Sequence, residues 1–421
     1  MPLSVELADV FRLSYAKRLK KNKYRVRQID IKIQNGGDNA ALKVQQEAYV
    51  GAKQKKSLLI LISPKSGPGK AKEIYEYEVA PLFTAAGCKT TVKITTHRNH
   101  GAEIARDLDA TAYDAIVCCS GDGIPHEVIN GFAKRADAKK VLNEMPIAQI
   151  PCGSGNSMAC SLNGSPSPSL AALGIIKGIP MKADLMYFSQ GDNVHLTFLS
   201  QTYGLIADAD LGTENLRFLG GQRFAVGAVM RALSAAKYPC EVDIKYAHKD
   251  VENVKNHYDI AAKKVENPLE GEVIDEENQT TGLPKPKYGT VNDPTPQDWV
   301  HLKKDELSIF YVGNMPYVSA DALFFPGALP NDGFMDMIIL DSSVGRIKCL
   351  DILLQVEEGK HVHSDRLEYS KIEAYRVVPK IRKGYLSVDG ESFPIEPFQV
   401  EILPGAGCFL SSTGKYFVVD F

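Results

Sequence analysis

Between residues 57 and about 180, short apolar runs alternate with segments in which apolar residues recur every three or four positions. Short apolar runs are typical of strands buried on both faces, and the second spacing is typical of helices that bury one side. The predicted strands are 57–63, 91–95, 115–119 and 146–151, and the predicted helices are 70–87, 100–108 and two that begin near 122 and 155. This alternation predicts a parallel α/β domain that binds its ligand outside the carboxyl ends of the strands.

After residue 184 the pattern changes to short strand-like runs with few helices between them, the clearest helices being 213–237 and 346–358. That pattern predicts a mainly antiparallel β domain, either a sandwich or a barrel. The charged, proline-containing stretch 249–304 can bury little, so we expect a flexible loop there. The expected division is an N-terminal extension at 1–56, an α/β domain at 57–182 and a β domain at 183–421.

The composition is typical of a soluble globular protein, with 421 residues of which 44% are hydrophobic and 24% are charged. The net charge of −2 argues against a general attraction to nucleic acid, so we expect no nucleic-acid partner. The eight cysteines form no CxxC pair, which favours reduced thiols in a cytosolic protein. No secretory signal pattern begins the chain and no run reaches about 18 apolar residues, so we expect no membrane span.

The segment 16–27 holds seven Lys or Arg residues in twelve positions. One interpretation is the solvated end of a basic helix followed by a strand, because Ile29, Ile31 and Ile33 alternate with polar residues. The other interpretation is a contact with anionic lipid head groups. The sequence favours the first interpretation and leaves the second open.

Glycine-rich turns follow three of the predicted strands, namely SPKSGPGK (63–70), SGDG (120–123) and PCGSGNS (151–157). Backbone N–H groups in such a turn bind anions without a charged side chain. Three such turns at one edge of a sheet indicate a phosphate-rich ligand. The first turn is not a Walker loop, because Pro64 and Ala71 replace required residues. The HEVIN stretch (126–130) lacks the second histidine of a zinc-binding helix, so we predict no metal there.

Asp122 is a negatively charged side chain among these predicted phosphate-binding glycines. Its structural interpretation is a helix N-cap or an Asx-turn. Its functional interpretation is a general base that faces the hydroxyl attacking the γ-phosphate of ATP. Phosphoryl transfer also depends on cations near the phosphates, so the second interpretation requires cationic partners elsewhere in the chain.

Candidate partners of Asp122 lie in the predicted second domain. The stretch 203–224 carries acidic residues and two arginines on either side of a Gly-Gly pair: Asp208, Asp210, Glu214, Arg217 and Arg223. The arginines are suited to binding phosphate, and a surface helix with a Glu214–Arg217 pair is the structural alternative. The stretch 386–393 adds Asp389 and Glu391 on either side of a glycine, for which a hairpin turn is the alternative.

Six blocks of sequence carry a family resemblance: SGDGIPHEVINGF, PCGSGNSMA, LSQTYGLIADADLGTENLRFLGGQRFAVG, YPCEVDIKY, FFPGALPNDGFMDMIIL and SVDGE. In this order, over roughly residues 57–421, the chain resembles the sphingosine (sphingoid long-chain-base) kinases of the diacylglycerol kinase superfamily. The resemblance implies an NAD-kinase-like α/β domain and a β-sandwich domain with ATP in the cleft between them. It also implies transfer of the γ-phosphate to the primary hydroxyl of sphingosine, dihydrosphingosine or phytosphingosine, with Mg²⁺ held mainly by the ATP phosphates.

The resemblance also implies roles for individual residues. Asp122 matches the general base, and Asp210 matches the residue that binds the substrate amine and secondary hydroxyl. The turn around the base and the reacting hydroxyl is matched by Ser120, Gly121 and Gly123. The positions that match nucleotide-contacting residues, two of them phosphate-binding arginines, are Ser63, Pro64, Lys65, Thr95, Asn99, Glu127, Gly153, Ser154, Gly155, Arg217, Arg223, Gly390 and Glu391, with Asp389 beside them. The first loop departs from the family's Asn-Pro start, and Pro68 removes one backbone N–H, which gives Lys65 and Lys70 more weight.

Two other functions stay open at this point. A kinase of diacylglycerol, ceramide or NAD on the same scaffold would have no lipid amine to pair with Asp210, and a pseudokinase would bind nucleotide or lipid without turnover. Because a sphingoid base resides in bilayers, we expect a cytoplasmic protein in reversible, peripheral contact with intracellular or plasma membranes. The contact would use 16–27 or exposed apolar residues near 318–329, and a homodimer is a further open expectation.

Overall fold

The computed structural model describes residues 1–6, 11–31, 37–212, 236–264 and 282–421. The N-terminal elements are an antiparallel sheet and one helix: β1 (Pro2–Glu6), β2 (Phe11–Arg18), β3 (Tyr24–Ile31) and α1 (Gly37–Ala48).

The basic run 16–27 forms the hairpin between β2 and β3, so the predicted basic helix end is wrong. Lys21 and Asn22 take positive φ angles of 56° and 54°, which allow the tight turn. Along β3, Tyr24 and Val26 pack against an apolar core while the arginines that alternate with them are exposed. This two-residue period favours a strand, and the density of positive charge obscured it in the sequence.

A four-stranded parallel sheet follows, with β4 (Ser57–Ile62), β5 (Lys89–Ile94), β6 (Ala115–Ser120) and β7 (Ile147–Pro151) in the spatial order β5–β4–β6–β7. After Ser57, β4 is apolar because both its faces are covered: Leu59 and Leu61 enter one core, and Leu58 and Ile60 enter another. The helices of this half are α2 (Ala71–Ile74), α3 (Ala80–Ala85), α4 (His100–Arg106), α5 (Gly123–Ala133), α6 (Ala138–Glu144), α7 (Ser157–Asn163) and α8 (Pro168–Ile176), with a π-helical stretch at Tyr75–Val79 between α2 and α3. The predicted parallel α/β fold is confirmed.

The second half of the chain is mainly antiparallel, as predicted. Its elements are β8 (Ile179–Gln190), β9 (Asn193–Thr197), β10 (Ser200–Gly204), α9 (Leu205–Leu211), β11 (Cys240–His248), α10 (Val251–Lys264), β12 (Val300–Lys304), β13 (Leu307–Gly313), β14 (Tyr317–Ser319), β15 (Ala322–Leu323), β16 (Met335–Asp341), α11 (Arg346–Leu354), β17 (Leu367–Pro379), β18 (Leu386–Val388), β19 (Glu391–Phe393) and β20 (Phe398–Ser411). Strands β18, β10, β13, β16 and β17 pair in that order, and their inner faces share one large core that includes Phe310 and Tyr375.

The last strand connects the two halves. β20 pairs antiparallel with β17 and along most of its length with β8, from Gln399–Ser189 to Ser411–Ile179. Near its end it pairs in parallel with β7 at Phe409, whose ring is part of the core of the α/β half. The chain therefore returns to the first domain at its C-terminal strand, which holds the two halves in a fixed relation.

The stretch 249–304 is more ordered than the sequence suggested. It opens with α10, where Val254 and Tyr258 are buried one turn apart and the Tyr258 hydroxyl donates to the backbone oxygen of Val419. It ends in β12, and before that the Glu401 carboxylate accepts backbone N–H groups of Lys287 and Tyr288. The prediction of a flexible loop is wrong for both ends, because an apolar pair at helical spacing is enough to dock a highly charged helix.

The predicted helix at 346–358 is confirmed as α11 and a short 3₁₀ turn at Val356–Glu358, whereas the predicted helix at 213–237 falls almost entirely on 213–235, outside the described residues. All eight cysteines are free thiols and seven are buried, in agreement with their scattered spacing. Among the helices that the structure describes, none is both long enough and apolar enough to cross a membrane.

Candidate active site

The three glycine loops meet at the carboxyl ends of β4, β6 and β7. A Cβ atom on Gly153 would lie 2.3 Å from the Cα atom of Gly121, and one on Gly67 would lie 2.8 Å from the backbone oxygen of Cys152. Gly67 also has a φ angle of 51°, which side-chain-bearing residues rarely adopt. The loops are therefore in backbone contact, and only glycine permits that approach.

A cleft of about 990 Å³ lies above these loops and is closed on the other side by the second domain. It is lined by most of the residues singled out from the sequence: Ser63, Pro64, Lys65, Thr95, Gly121, Asp122, Gly123, Glu127, Gly153, Ser154, Gly155, Asp210, Asp389, Gly390 and Glu391. Ser120 and Asn99 do not line it, and Arg217 and Arg223 fall outside the described residues. The fold thus brings together residues that are up to about 330 positions apart along the chain.

Asp122 precedes α5 but its carboxylate does not cap that helix. It accepts hydrogen bonds from the backbone N–H groups of Ser157 (3.1 Å) and Met158 (3.1 Å) at the start of α7, and from Gln149 Nε2 (3.2 Å). The predicted capping role therefore exists, but for a different helix. A carboxylate can accept about four hydrogen bonds, so three donors from the described residues leave it able to accept one more from the cleft.

Burial raises the pKa of Asp122, and the three hydrogen bonds partly oppose that shift. The negative charge of Asp389 adds to the increase. A carboxylate with a raised pKa is a stronger base than one with an ordinary pKa. Asp122 thus combines a fixed orientation with increased basicity.

Asp210 lies on α9, on the second-domain wall of the cleft. Its Oδ2 atom accepts a hydrogen bond from the Ser387 hydroxyl at 2.8 Å. The neighbouring wall includes the buried Tyr311, whose hydroxyl is 3.5 Å from that of Ser200. Burial raises the pKa of Tyr311, and the nearby charges of Asp210, Asp389 and Asp122 add to the increase. Three carboxylates, those of Asp210, Asp389 and Asp122, are therefore close to the Tyr311 hydroxyl.

Beyond Asp210 the cleft becomes apolar. The side chains that line it there come from α9, the β14–β15 hairpin and the end of α11: Ile206, Leu211, Val318, Phe324, Leu353, Leu354 and Val356. A group of apolar side chains near a carboxylate matches the chemistry of an amphiphile with a cationic head and a hydrocarbon tail.

Three of the predicted site residues, Ser120, Asn99 and Glu127, have hydrogen-bond partners within the protein, and their contacts with a ligand stay predictions. The Ser120 side chain is buried and donates to the backbone oxygen of Gly121, so it does not face the cleft. Asn99 has a φ angle of 65°, and its backbone N–H donates to Glu127, which also accepts the N–H of Gly101. Glu127 therefore caps α4 with both its oxygens, in addition to lining the cleft.

Asp389 also has partners within the protein. Its carboxylate is completely buried and lies within hydrogen-bond distance of four protein donors. Glu391, two residues further on, does reach the cleft, where its Oε2 atom pairs with Arg98 at 2.6 Å.

Sequence reasoning missed three residues of this region. His126 contacts Asp389, Arg98 pairs with Glu391, and Tyr311 lies among the carboxylates. The spacing of His126 offered a signal, since residues four apart lie on one face of a helix and Asp122 precedes the same helix. Arg98 follows a strand that ends at the cleft. Tyr311 gave no signal, because a tyrosine within an apolar strand is usually a core residue.

The comparisons with known proteins agree with this geometry. Residues 57–188 match the family model of the diacylglycerol kinase catalytic domain, and residues 301–410 match that of the YegS C-terminal NAD kinase beta sandwich-like domain. A solved structure described as a diacylglycerol kinase from Bacillus anthracis superposes with a TM-score of 0.58 at 18% identity, covering 85% of this chain and 98% of the other. At that identity the likeness shows the fold alone.

Some curated proteins have higher sequence identity to this chain than that solved structure does. Sphingoid long chain base kinase 5 of Saccharomyces cerevisiae is 39% identical over 91% of this chain, which spans 63% of that relative's length. Sphingoid long chain base kinase 4 of Schizosaccharomyces pombe is 34% identical, with 89% of this chain and 79% of the relative covered. Sphingosine kinase 1 of Homo sapiens is 27% identical, with 82% and 88% covered. The fold and the site define a protein of the diacylglycerol kinase type. Within that class, the chain belongs to the family of sphingoid long-chain-base and sphingosine kinases.

Proposed function

We propose that this protein transfers the γ-phosphate of ATP to the primary hydroxyl of a sphingoid base such as sphingosine, dihydrosphingosine or phytosphingosine. The observation that carries the proposal is the Asp122 carboxylate, which is held by the first turn of α7 where three glycine loops meet, in the same cleft as Asp210. The family relationship supports the same reaction class.

The chemistry assigned to Asp122 is proton transfer. The substrate oxygen forms a bond to the γ-phosphorus, the bond from that phosphorus to the bridging β–γ oxygen breaks, and ADP leaves with the electron pair. The hydroxyl proton passes to the Asp122 carboxylate, whose remaining acceptor capacity faces the cleft. The backbone N–H groups of the glycine loops and the side chain of Lys65 would bind the phosphates.

Asp210 would bind the substrate amine. A cationic amine attached to an apolar tail needs one fixed carboxylate at the end of an apolar cavity, because an unpaired charge in such a site is costly. The hydrogen bond from Ser387 holds Asp210 in place, and the apolar side chains of α9, α11 and β14–β15 would cover the tail.

Mg²⁺ would accompany ATP and reduce the negative charge on the transferred phosphoryl group. No group of three metal-ligating side chains occurs among the described residues. The carboxylate of Glu391 lines the cleft and is a protein group of the kind that Mg²⁺ prefers.

The test is a competition assay. The protein is incubated with labelled ATP, dihydrosphingosine and diacylglycerol in the same detergent micelles, and the labelled lipids are separated. We expect labelled sphingoid-base phosphate and little phosphatidic acid. Dominant labelling of diacylglycerol would mean that Asp210 is misassigned. Nucleotide binding without labelling of any lipid would indicate a pseudokinase.

We further propose that the protein takes its substrate from a membrane through the rim of the cleft. Ile347 and Leu354 of α11 are 88% and 70% exposed, and Leu354 also lines the cleft. These two residues are seven positions apart and therefore lie on one face of the helix. Arg346 and Lys348 flank Ile347 and are exposed, which suits an anionic lipid surface.

The region first considered for this contact, 318–329, is less suited to it. Phe325 and Leu329 are buried, and Phe324 packs against the core. Lipid contact by the basic hairpin at 16–27 stays a prediction.

A further inference from the structure

His126 is a buried histidine in the helix that begins at the proposed base. Its backbone N–H donates to the backbone oxygen of Asp122 at 3.2 Å, within the first turn of α5. Its Nδ1 atom is 2.9 Å from Oδ2 of Asp389, which lies 263 positions later in the chain and in the other domain. The zinc interpretation of HEVIN fails, and proton transfer by Asp122 does not use this histidine, so its burial against a carboxylate calls for another explanation.

The Asp389 carboxylate connects three segments by hydrogen bonds: its own turn, the backbone that leads into β10, and helix α5. Its carboxylate accepts the backbone N–H groups of Phe198 (3.1 Å), Leu199 (3.1 Å) and Ser200 (2.9 Å), which lead into β10. The His126 ring is the fourth partner and comes from the α/β domain. The contact with His126 thus joins Asp389 of the second domain to the helix of the proposed base, close to the hydrogen bonds between Asn130 and Leu196.

We assign the Nδ1 atom of His126 as the donor, because the Asp389 carboxylate already acts as the acceptor for three backbone N–H groups. Burial lowers the pKa of His126, but the hydrogen bond and the charge of Asp389, with Glu391 and Glu127, raise it overall. Neutral or protonated, the ring keeps the Nδ1 proton, so the contact does not depend on the charge of the histidine. The Asn130 side-chain amide, which also donates to the backbone oxygens of His126 and Leu196, packs near Nε2 at 3.4 Å.

The turn that follows Asp389 carries the groups that face the cleft. Asp389 and Gly390 have φ angles of 51° and 82°, a left-handed pair that a free chain rarely adopts. The turn continues into Glu391, which pairs with Arg98 across the cleft, and its Oε1 atom would lie 3.4 Å from a Cβ on Gly123. Holding Asp389 therefore also holds the conformation and the position of the Gly390–Glu391 turn opposite the start of α5.

We propose that His126 is a positioning residue for nucleotide binding: by joining α5 to Asp389 across the domain interface, it fixes the Gly390–Glu391 turn relative to the glycine loops. The inference rests on the proposed function only in assuming that this cleft binds ATP. It adds that the two walls of the nucleotide site are held together by a side chain that does not itself line the cleft.

The experiment compares two substitutions at the same position. His126→Asn retains an N–H donor close to where Nδ1 lies, whereas His126→Leu fills similar space without a donor. A hydrogen bond to a charged group is worth roughly a tenfold to hundredfold change in an equilibrium constant. We expect His126→Leu to weaken binding of a non-hydrolysable ATP analogue, measured calorimetrically without lipid, by roughly tenfold or more, and His126→Asn to restore it to within about threefold of the wild type.

His195→Leu is the matched control. The His195 ring packs against Phe188 and Phe393 at the same interface but does not line the cleft, and we expect nucleotide affinity to stay unchanged in this variant. Thermal melting accompanies each binding measurement. If His126→Leu lowered the melting temperature but bound the analogue like the wild type at temperatures where it is folded, His126 would be merely structural and the proposal would be overturned.

The binding assay separates this inference from the proposed function. If wild-type protein binds the analogue but phosphorylates no sphingoid base, the substrate assignment fails and the His126 series still decides the positioning role. If the wild type binds no nucleotide, both fail. Equal loss of affinity in His126→Leu and His126→Asn would also overturn the proposal, because the donor would then not matter.

Discussion

Asp122 shows how one side chain can serve both structure and chemistry. Two backbone N–H groups of α7 and one amide of Gln149 fix its carboxylate, as an N-cap would. The same burial that makes this capping possible raises its pKa. The structural and the functional interpretations of this aspartate are therefore compatible, and the sequence alone presented them as alternatives.

The raised pKa predicts the pH dependence of the reaction. A base acts in its ionised form, so kcat/KM should fall as pH falls through the pKa of Asp122, and the midpoint should lie above 3.8, the ordinary value. Binding of a non-hydrolysable ATP analogue over the same range separates titration of the nucleotide from that of Asp122. If kcat/KM did not decrease as the pH was lowered to below 4, while circular dichroism showed that the protein was folded, Asp122 would be ruled out as the base.

Asp210→Asn tests the amine site. The substitution removes the negative charge but keeps an acceptor for Ser387, so the protein should fold normally. We expect KM for dihydrosphingosine to rise by roughly tenfold to hundredfold while KM for ATP stays the same. The matched control is a long-chain 1,3-diol that lacks the amine. If the substitution raised KM for the diol by the same factor as KM for dihydrosphingosine, Asp210 would not be paired with the amine.

At the scale of elements, the glycine loops form the site by their mutual contact. Gly153 lies so close to Gly121 that it has no room for a side chain, and Gly67 packs against the same loop. The loops thereby present backbone N–H groups from three strand ends in one place. Phosphate binding would then depend on the backbone more than on charged side chains, which agrees with the absence of a Walker pattern in the first loop.

Gly153→Ala should disrupt this contact. Its Cβ would meet the Gly121 backbone at 2.3 Å, so the loops must separate. We expect a loss of roughly 1–3 kcal/mol in the free energy of unfolding and a rise of at least about tenfold in KM for ATP. Gly191→Ala is the control, since that glycine has a φ angle of 53° and no atom within 4 Å of its Cβ position. It should lose about 1 kcal/mol from backbone strain and keep its KM.

The sequence predicted elements well where burial dictated the pattern. β4 and β6 are apolar because both faces are covered, and the helices between them keep a helical spacing. It failed at the basic hairpin and at α10, where charged residues dominate and only a few apolar positions in each pack against a core. In both cases tertiary packing selected an element that composition disfavoured.

At the scale of the whole molecule, the cleft exists because β20 returns to the first domain and fixes the two halves. The resemblance predicted that Asp122, Asp210 and Glu391 belong to one site. It could not predict that His126 would bind Asp389, since the partners are 263 positions apart and either could have been an ordinary core or turn residue. Contacts between domains depend on the relative placement of two sheets, which no local pattern encodes.

The exposed apolar face of α11 predicts how the protein meets its substrate. Ile347→Glu should reduce co-sedimentation with anionic vesicles and raise KM for dihydrosphingosine presented in those vesicles. The reason is that a charged side chain would replace an apolar side chain that contacts the lipid. KM for the same lipid presented in detergent should not change. Val50→Glu is the control, since Val50 is 78% exposed and does not line the cleft. If the two variants co-sedimented with vesicles to the same extent and had the same KM in vesicles, α11 would not be the membrane-facing surface.

The most direct test of the central claim is single-turnover phosphorylation of dihydrosphingosine by Asp122→Asn, with ATP-analogue affinity measured on the same preparation. We predict that the rate of phosphoryl transfer falls by roughly a hundredfold to ten-thousandfold while nucleotide affinity stays within about threefold of the wild type. A variant that binds nucleotide and transfers phosphate at the wild-type rate would contradict the assignment of Asp122 as the base.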